Sequence, residues 1–311
     1  MSELITPEEI IARVPAWRDQ DVSFEILHGG LANRSYLVSA GGQRYVIKAL
    51  TQAMGDLNLM IPLEDICRNT VAAGQSGVGA RVVHAYTDMP ALVLECIEGT
   101  TLQTANLAEA AYIPRLGRAI ARLHRRAPAF QNEICIWTFL DDYLDLVEKH
   151  ALPTPDGVMD QLDVIREVQE ALAKQALQSV PSHNDLLPLN IMDDGDIRLI
   201  DYDFSGMNDP AFDLGDLAME GDYDPDQLAR LCESYFCTHD AVQVARARLF
   251  GIAAQYTWSL LFVGMHHLLP EAPADGFDYL AEAQSRWQWT KAQLRADDMP
   301  QVMKQAAGVS Y

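Results

Sequence analysis

Between residues 24 and 94 the apolar positions fall in short runs separated by glycine and other turn residues. Phe24-Glu25-Ile26-Leu27, Ser35-Tyr36-Leu37-Val38 and Arg44-Tyr45-Val46-Ile47-Lys48 predict three strands. The first connection carries Gly29-Gly30, and the second is a tight turn at Ala40-Gly41-Gly42. A helix is expected from Leu63 to Ala73, stopped by Gly74 and Gly77, and two further strands around Arg81 to Tyr86 and Ala91 to Leu94. Ahead of them Thr6-Pro7-Glu8-Glu9 reads as a capping box with proline at the first helical position, opening a short helix towards Val14.

After Glu95-Cys96-Ile97-Glu98-Gly99 the period changes. Leu116, Ile120 and Leu123 share one helical face, and helical spacing dominates from there on. The one β interruption expected in this half is Asn190 to Phe204, with Asp194-Gly195 as its hairpin turn. The change of texture at about residue 98 divides the chain into an N-terminal lobe, 1–98, and a C-terminal lobe, 99–311. The longest uncharged run, Leu249 to Met265, carries Gln255, Thr257 and Ser259. It is shorter than the roughly 20 apolar residues of a membrane span, so a buried helix is expected.

Composition narrows the function classes. Hydrophobic residues make up 49% and charged residues 22% of the 311 residues, which is the balance of a globular chain. The 44 acidic against 23 basic residues argue against a nucleic-acid binder, which needs a basic face, and suit a small cationic substrate better. The five cysteines are odd in number and form no CxxC pair, as expected of reduced thiols in a cytoplasmic protein. Met1-Ser2-Glu3-Leu4 lacks the basic start of a signal peptide.

The chemistry concentrates in His183-Asn184-Asp185-Leu186-Leu187-Pro188-Leu189-Asn190, followed by Leu199-Ile200-Asp201-Tyr202-Asp203. Phosphoryl transfer needs a carboxylate to orient the attacking hydroxyl and accept its proton. It also needs oxygen ligands for magnesium. Asp, then Asn five residues on, then Asp at the start of a following strand-turn supplies all three. Asp185 is therefore the expected base, Asn190 and Asp201 the expected metal ligands, and His183 a residue that holds the loop. Lys48, closing the third strand, is placed to reach the α- and β-phosphates of ATP, with Glu64 as its expected carboxylate partner and Asp65 as the competitor. Gly30, Asn33 and Ser35 lie in the connection between the first two strands, where a loop covering the nucleotide belongs.

From Gly29-Gly30-Leu31-Ala32-Asn33, through His183 to Asn190, to Phe212-Asp213-Leu214-Gly215-Asp216-Leu217-Ala218-Met219-Glu220, the chain resembles the choline/ethanolamine kinase group of the aminoglycoside phosphotransferase superfamily. The resemblance implies an α+β, two-lobed protein-kinase-like fold. Its N-terminal lobe would hold a five-stranded antiparallel sheet and its C-terminal lobe would be mainly helical. ATP with Mg2+ is implied in the cleft, and adenine would meet the backbone around Glu95-Cys96-Ile97, so Glu95 and Ile97 join the nucleotide set. The resemblance also implies that Asp213 braces the catalytic loop, although its position equally suits a helix cap. For the acceptor it implies a site including Asp203 and Glu220, although Glu220 equally suits the surface; a quaternary ammonium also needs aromatic faces, for which Trp258 and Tyr256, then Trp287 and Trp289, are candidates for pocket or core. Where the group often has a second tryptophan, three residues after the first, this chain has Leu261. The expected reaction is transfer of the γ-phosphate of ATP to a small amino alcohol, choline or ethanolamine. An aminoglycoside or other small-molecule acceptor is the alternative. A pseudokinase is disfavoured, because Lys48, Asp185, Asn190 and Asp201 are all present.

Overall fold

The structure, a computed structural model, describes residues 5–27, 33–50, 61–269 and 276–309. The chain opens with helix α1 (Pro7–Arg13), whose capping box forms as the sequence predicts: the Glu9 amide donates to Thr6 Oγ1 at 3.3 Å and the Thr6 amide to Glu9 Oε2 at 2.8 Å. Three strands follow, β1 (Val22–Leu27), β2 (Arg34–Ala40) and β3 (Gln43–Ala49). Gly41 and Gly42 both take positive φ, which the tight turn joining β2 to β3 requires. Helix α2 (Leu63–Gln75) and strands β4 (Val82–Tyr86) and β5 (Ala91–Glu95) complete an antiparallel sheet of order β1-β2-β3-β5-β4. The helix runs through Gly74 instead of stopping before it. A β-carbon there would lie 2.6 Å from the Ala80 carbonyl oxygen, so the glycine serves close approach and not termination.

Alternation along β5, where Leu92 and Val93 face opposite ways, separates two small cores. Ile47, with Tyr36, Val38 and Val93, packs under α1, while Leu92 faces Leu50, Ile66 and Cys67 on the α2 side. Lys48 lies directly across the ladder from Ser35 and Leu92 and is buried.

Beyond Glu95 the chain joins the second lobe. Strand β6 (Thr100–Thr101) precedes helices α3 (Thr104–Leu107), α4 (Ile113–Arg126), α5 (Ile136–His150) and α6 (Leu162–Ala173). Short strands β7 (Val180–Ser182), β8 (Ile191–Asp193), β9 (Ile197–Leu199) and β10 (Gly206–Asn208) surround the segment from His183 to Asp203. The β8–β9 hairpin is the interruption that the sequence predicts. The other pieces, β6 on β8 and β7 on β10, are two or three residues long and pair across long sequence separations, so they leave no periodic trace. Helices α7 (Pro210–Glu220), α8 (Pro225–Phe236), α9 (Ala241–Leu268), α10 (Tyr279–Leu294) and α11 (Met299–Ala306) close the fold. The uncharged run does form part of the long buried helix α9. Among the described residues no helix is long and apolar enough to cross a membrane. The fold is α+β and two-lobed, with a five-stranded antiparallel sheet in one lobe and a mainly helical second lobe, as the sequence predicts.

Candidate active site

Helix α7 suspends the loop that carries Asp185. Asp209 caps it, accepting from the Ala211 amide, and Asp213, Asp216 and Glu220 follow at helical spacing along it. The fully buried Asp213 accepts from the His183 and Asn184 amides, each at 2.8 Å, and from His124 Nε2 at 2.9 Å. Burial opposes its negative charge, but the contacts with His124 and with the ring and amide of His183 together outweigh this and hold its carboxyl below the ordinary value. It braces the loop and does not cap α7. Asp216 accepts from the Leu186 amide at 2.8 Å. Gly215 makes this arrangement possible, because a β-carbon there would lie 2.1 Å from the Ala247 carbonyl oxygen of α9. Three main-chain donors of residues 183–186 are thus tied to one helix.

The loop carries local strain that these bonds oppose. Asn184 and Asp201 take φ of 63° and 67°, in the left-handed region that side chains other than glycine rarely adopt. Asn184 is locked there by Nδ2 donating to the Phe204 carbonyl and by Asn208 Nδ2 donating to its Oδ1. His183 Nε2 lies 2.9 Å from the Ile200 carbonyl, which joins the loop to the strand before Asp201 and supports its expected holding role.

The expected triad meets at one place. Asn190 Nδ2 donates to the Asp185 carbonyl at 2.9 Å and to Asp185 Oδ2 at 3.0 Å, and the Ile200 amide donates to the Asn190 carbonyl at 2.9 Å. Lys48 Nζ donates to Asp201 Oδ1 and Asp203 Oδ1, both at 2.6 Å. Burial works against the lysine's charge, yet these two carboxylates more than compensate and hold its pKa above the ordinary value. Asp201 is correspondingly lowered despite burial, while burial and repulsion from Asp201 raise Asp203. Asp185 is pushed up to about 7, first by burial and then by Asp201 and Glu220.

The acid excess and all-oxygen donor set suit a hard divalent cation, which Asn190 and Asp201 would hold through side-chain oxygens. Among the described residues no three Asp, Glu, His or Cys side chains form a ready-made cage. Magnesium fits such a site, because it is usually held by one or two carboxylates plus substrate phosphates.

Several expected placements change. Glu64 is not the partner of Lys48. It sits on the outer face of α2 paired with Arg68, because the helix turns Ile66, Cys67 and Asn69 inward instead. Asp203, expected at the acceptor, belongs to the lysine: besides the Lys48 contact, its Oδ2 accepts from Asn33 Nδ2. Tyr256 is core, fully buried with its hydroxyl donating to the Val158 carbonyl at 3.0 Å. Trp287 is core too, its Nε1 donating to the Asp156 carbonyl, whereas Trp289 Nε1 reaches Asp222 at the surface. Trp258 is half-buried, tilted against Phe139 at 6.0 Å and edge-on to Phe204 at 6.3 Å. Glu220 is paired with Arg286.

Ser35 stands across the ladder from Lys48. Glu95 ends β5, its carboxylate paired with Arg81 and its amide donating to the Arg81 carbonyl, and Ile97 follows in the link to the second lobe. Gly30 lies outside the described residues.

Sequence reasoning overlooked His124, Asp216 and Arg286, and with them Asn69. From α2, Asn69 Nδ2 donates to Asn132 Oδ1 at 2.8 Å and to the Ser205 carbonyl at 3.1 Å, tying the lobes together just beyond Asp203. Only the i, i+3, i+7 acids of α7 left a readable signal.

The chain is similar to known proteins over most of its length. Protein LicA of Haemophilus influenzae is 26% identical over 211 residues, covering 67% of this chain and 61% of that protein. Human ethanolamine kinase 2 is 26% identical over 217 residues, covering 65% of this chain and 54% of that protein, so the chain spans little more than half the length of these relatives. The crystal structure of a choline/ethanolamine kinase family protein from Mesorhizobium loti superposes with a TM-score of 0.83 at 23% identity, covering 96% of this chain and 97% of the other. The sequence model of the APH phosphotransferase enzyme family matches residues 23–250, from β1 to within α9. That span includes the strand of Lys48, the loop of Asp185 and the helix that braces it, and the chain belongs to the APH phosphotransferase enzyme family.

Proposed function

We propose that this chain is an ATP- and magnesium-dependent kinase that phosphorylates the hydroxyl of a small cationic alcohol, choline or ethanolamine. One observation carries the reading: Asp185 is hydrogen-bonded to Asn190, while Lys48 is held on Asp201 and Asp203 in the same site. In this reading the base, the metal ligands and the phosphate-binding cation come together from both lobes.

In this reading Asp185 orients the acceptor hydroxyl and takes its proton as the oxygen attacks the γ-phosphorus. The bond from that phosphorus to the bridging oxygen of ADP breaks, and ADP leaves. Bound magnesium supplies charge neutralisation on the phosphate oxygens. Lys48 supplies a fixed positive charge whose own carboxylate partners keep it protonated. Asp213 and Asp216 hold the loop so that Asp185 stays in place between turnovers. Glu95 and Ile97, where the chain passes between lobes, offer main-chain groups for adenine, and Asn33, Ser35 and Gly30 belong to the connection that would cover the phosphates. On the acceptor side the acidic surroundings of Asp185, with Glu220 and the half-buried Trp258, suit a cation.

The test is an ADP-release screen across choline, ethanolamine, aminoglycosides and homoserine, run beside Asp185→Asn. The expected result is acceptor-dependent ADP release with an amino alcohol, reduced about a hundredfold or more in the variant with ATP binding retained. Release within tenfold of the parent would reject Asp185 as the base, and release only with a non-cationic acceptor would reject the acceptor class.

A further inference from the structure

The acceptor side of the site holds a buried cation that the transfer chemistry leaves unused. Arg286, on α10, has a side chain only 11% exposed. Its Nη1 donates to Glu220 Oε1 at 3.1 Å, its Nε donates to Glu282 Oε1 at 2.6 Å, and its guanidinium carbon lies 5.2 Å from the centre of the Phe262 ring. Glu220 ends α7, the helix that suspends the catalytic loop, whereas Glu282 stands one turn before the arginine on α10. The guanidinium therefore ties the loop-bearing helix to the C-terminal part of the fold. Its field also reaches the chemistry, because Glu220 raises the Asp185 carboxyl and Arg286 lowers it.

Two carboxylates on one guanidinium leave a net negative charge, so the cluster still attracts a cation. Its geometry is unlike an aromatic cage. Tyr256 and Trp287 are core, with their polar tips already bonded to main-chain carbonyls. Leu261 stands one helical turn beyond Trp258, which rests against Phe139 and Phe204. A quaternary ammonium has no N–H to donate and depends on ring faces. A primary or secondary ammonium can donate to carboxylate lone pairs, which Glu220 and Glu282 supply in held positions. Burial holds the Glu220 carboxyl above its ordinary value, and the Arg286 contact opposes that rise, so without the arginine its charged, hydrogen-bond-accepting form would be disfavoured further.

We propose that Arg286 is a positioning residue that holds Glu220 and Glu282 as a two-carboxylate anchor, and thereby selects an acceptor whose cationic nitrogen carries N–H donors. This selection presupposes that the acceptor is a small amino alcohol.

The experiment measures kcat and KM for ethanolamine, for choline and for ATP, together with Tm, in the parent, Arg286→Met, Arg286→Lys and Glu282→Gln. The parent should favour ethanolamine over choline in kcat/KM. Arg286→Met should raise the ethanolamine KM at least about tenfold, as expected when a buried charge pair is broken, and move the ethanolamine-to-choline ratio towards one. Glu282→Gln should move both quantities the same way by a smaller factor, ATP KM should stay within about twofold in each variant, and Arg286→Lys should recover part of the loss. Should Arg286→Met fail to fold, Glu282→Gln decides by the same readouts, since it alters the more exposed carboxylate. A parent that prefers choline overturns the selection, and so does a folded variant with an unchanged acceptor ratio. Equal rises in ATP and acceptor KM mark a structural arginine and overturn it as well. A parent active on neither amino alcohol rejects the amino-alcohol reading itself, and the anchor with it.

Discussion

Asp213→Asn tests whether the active site is held from below by α7. In the parent the carboxylate has two oxygens for three donors: Oδ1 takes the Asn184 amide at 2.8 Å, and Oδ2 takes the His183 amide at 2.8 Å and His124 at 2.9 Å. The amide of the variant has one acceptor oxygen, so one of the two main-chain N–H groups must face an NH2 group. An orphaned buried donor costs about 1–3 kcal/mol. The charge-assisted bonds that are lost were about twice as strong as neutral ones. The sum is a destabilisation of roughly 2–4 kcal/mol, which for a chain of 311 residues lowers Tm by roughly 3–6 °C.

Function should suffer beyond stability, because the orphaned donors belong to the segment carrying Asp185. A displacement of about 1 Å at a reacting group can cost about a hundredfold. The expectation is a kcat fall of about 10- to 100-fold with the ATP KM nearly unchanged, measured below the variant's melting transition by coupled ADP release. The pH dependence has a definite sign. Asp213 is held below its ordinary value of 3.8, so its contribution is complete above that value and lost as pH falls through the lower folded value. The gap in Tm between parent and variant should therefore narrow only under strongly acid conditions. A variant with parental Tm and kcat within twofold of the parent would refute the brace. So would a gap that opens, instead of closing, as pH falls.

Asp201→Ala should weaken both magnesium-dependent ATP binding and turnover. Kinetics that are parental and insensitive to magnesium or manganese would remove Asp201 as a ligand. Lys48→Met leaves Asp201 and Asp203 facing each other without their shared cation, and kcat/KM for ATP should fall about a hundredfold or more. An unchanged value would place the phosphates elsewhere. Trp258→Leu should raise the acceptor KM severalfold, on the order of 1 kcal/mol for a lost cation–π face, while sparing ATP. A lowered Tm with both KM values moved together would instead make Trp258 purely structural.

The chain's own order of residues determined the candidate site and the coarse plan of the fold. Asp185, Asn190 and Asp201 sit within seventeen residues, joined by a short hairpin, and local spacing suffices to bring them together. The strands β1 to β5 were readable from alternation, and α9 from its uncharged run, because those signals are local. Partner choice across the lobes was not local. Lys48 could be recognised as a strand-ending lysine, but its partners lie 153 and 155 residues away, and a nearer acid, Glu64, looked equally suitable. The helical phase of α2 decided against it by turning Glu64 outward. The same holds for the aromatic residues: Tyr256 and Trp258 are two positions apart, and the rotation of α9 buries the first completely while leaving the second half-exposed. Arg286, distant in sequence from Glu220, carried no signal of its own. Only packing of α7 and α10 against α9 brings that guanidinium onto a carboxylate, where burial makes the pairing matter.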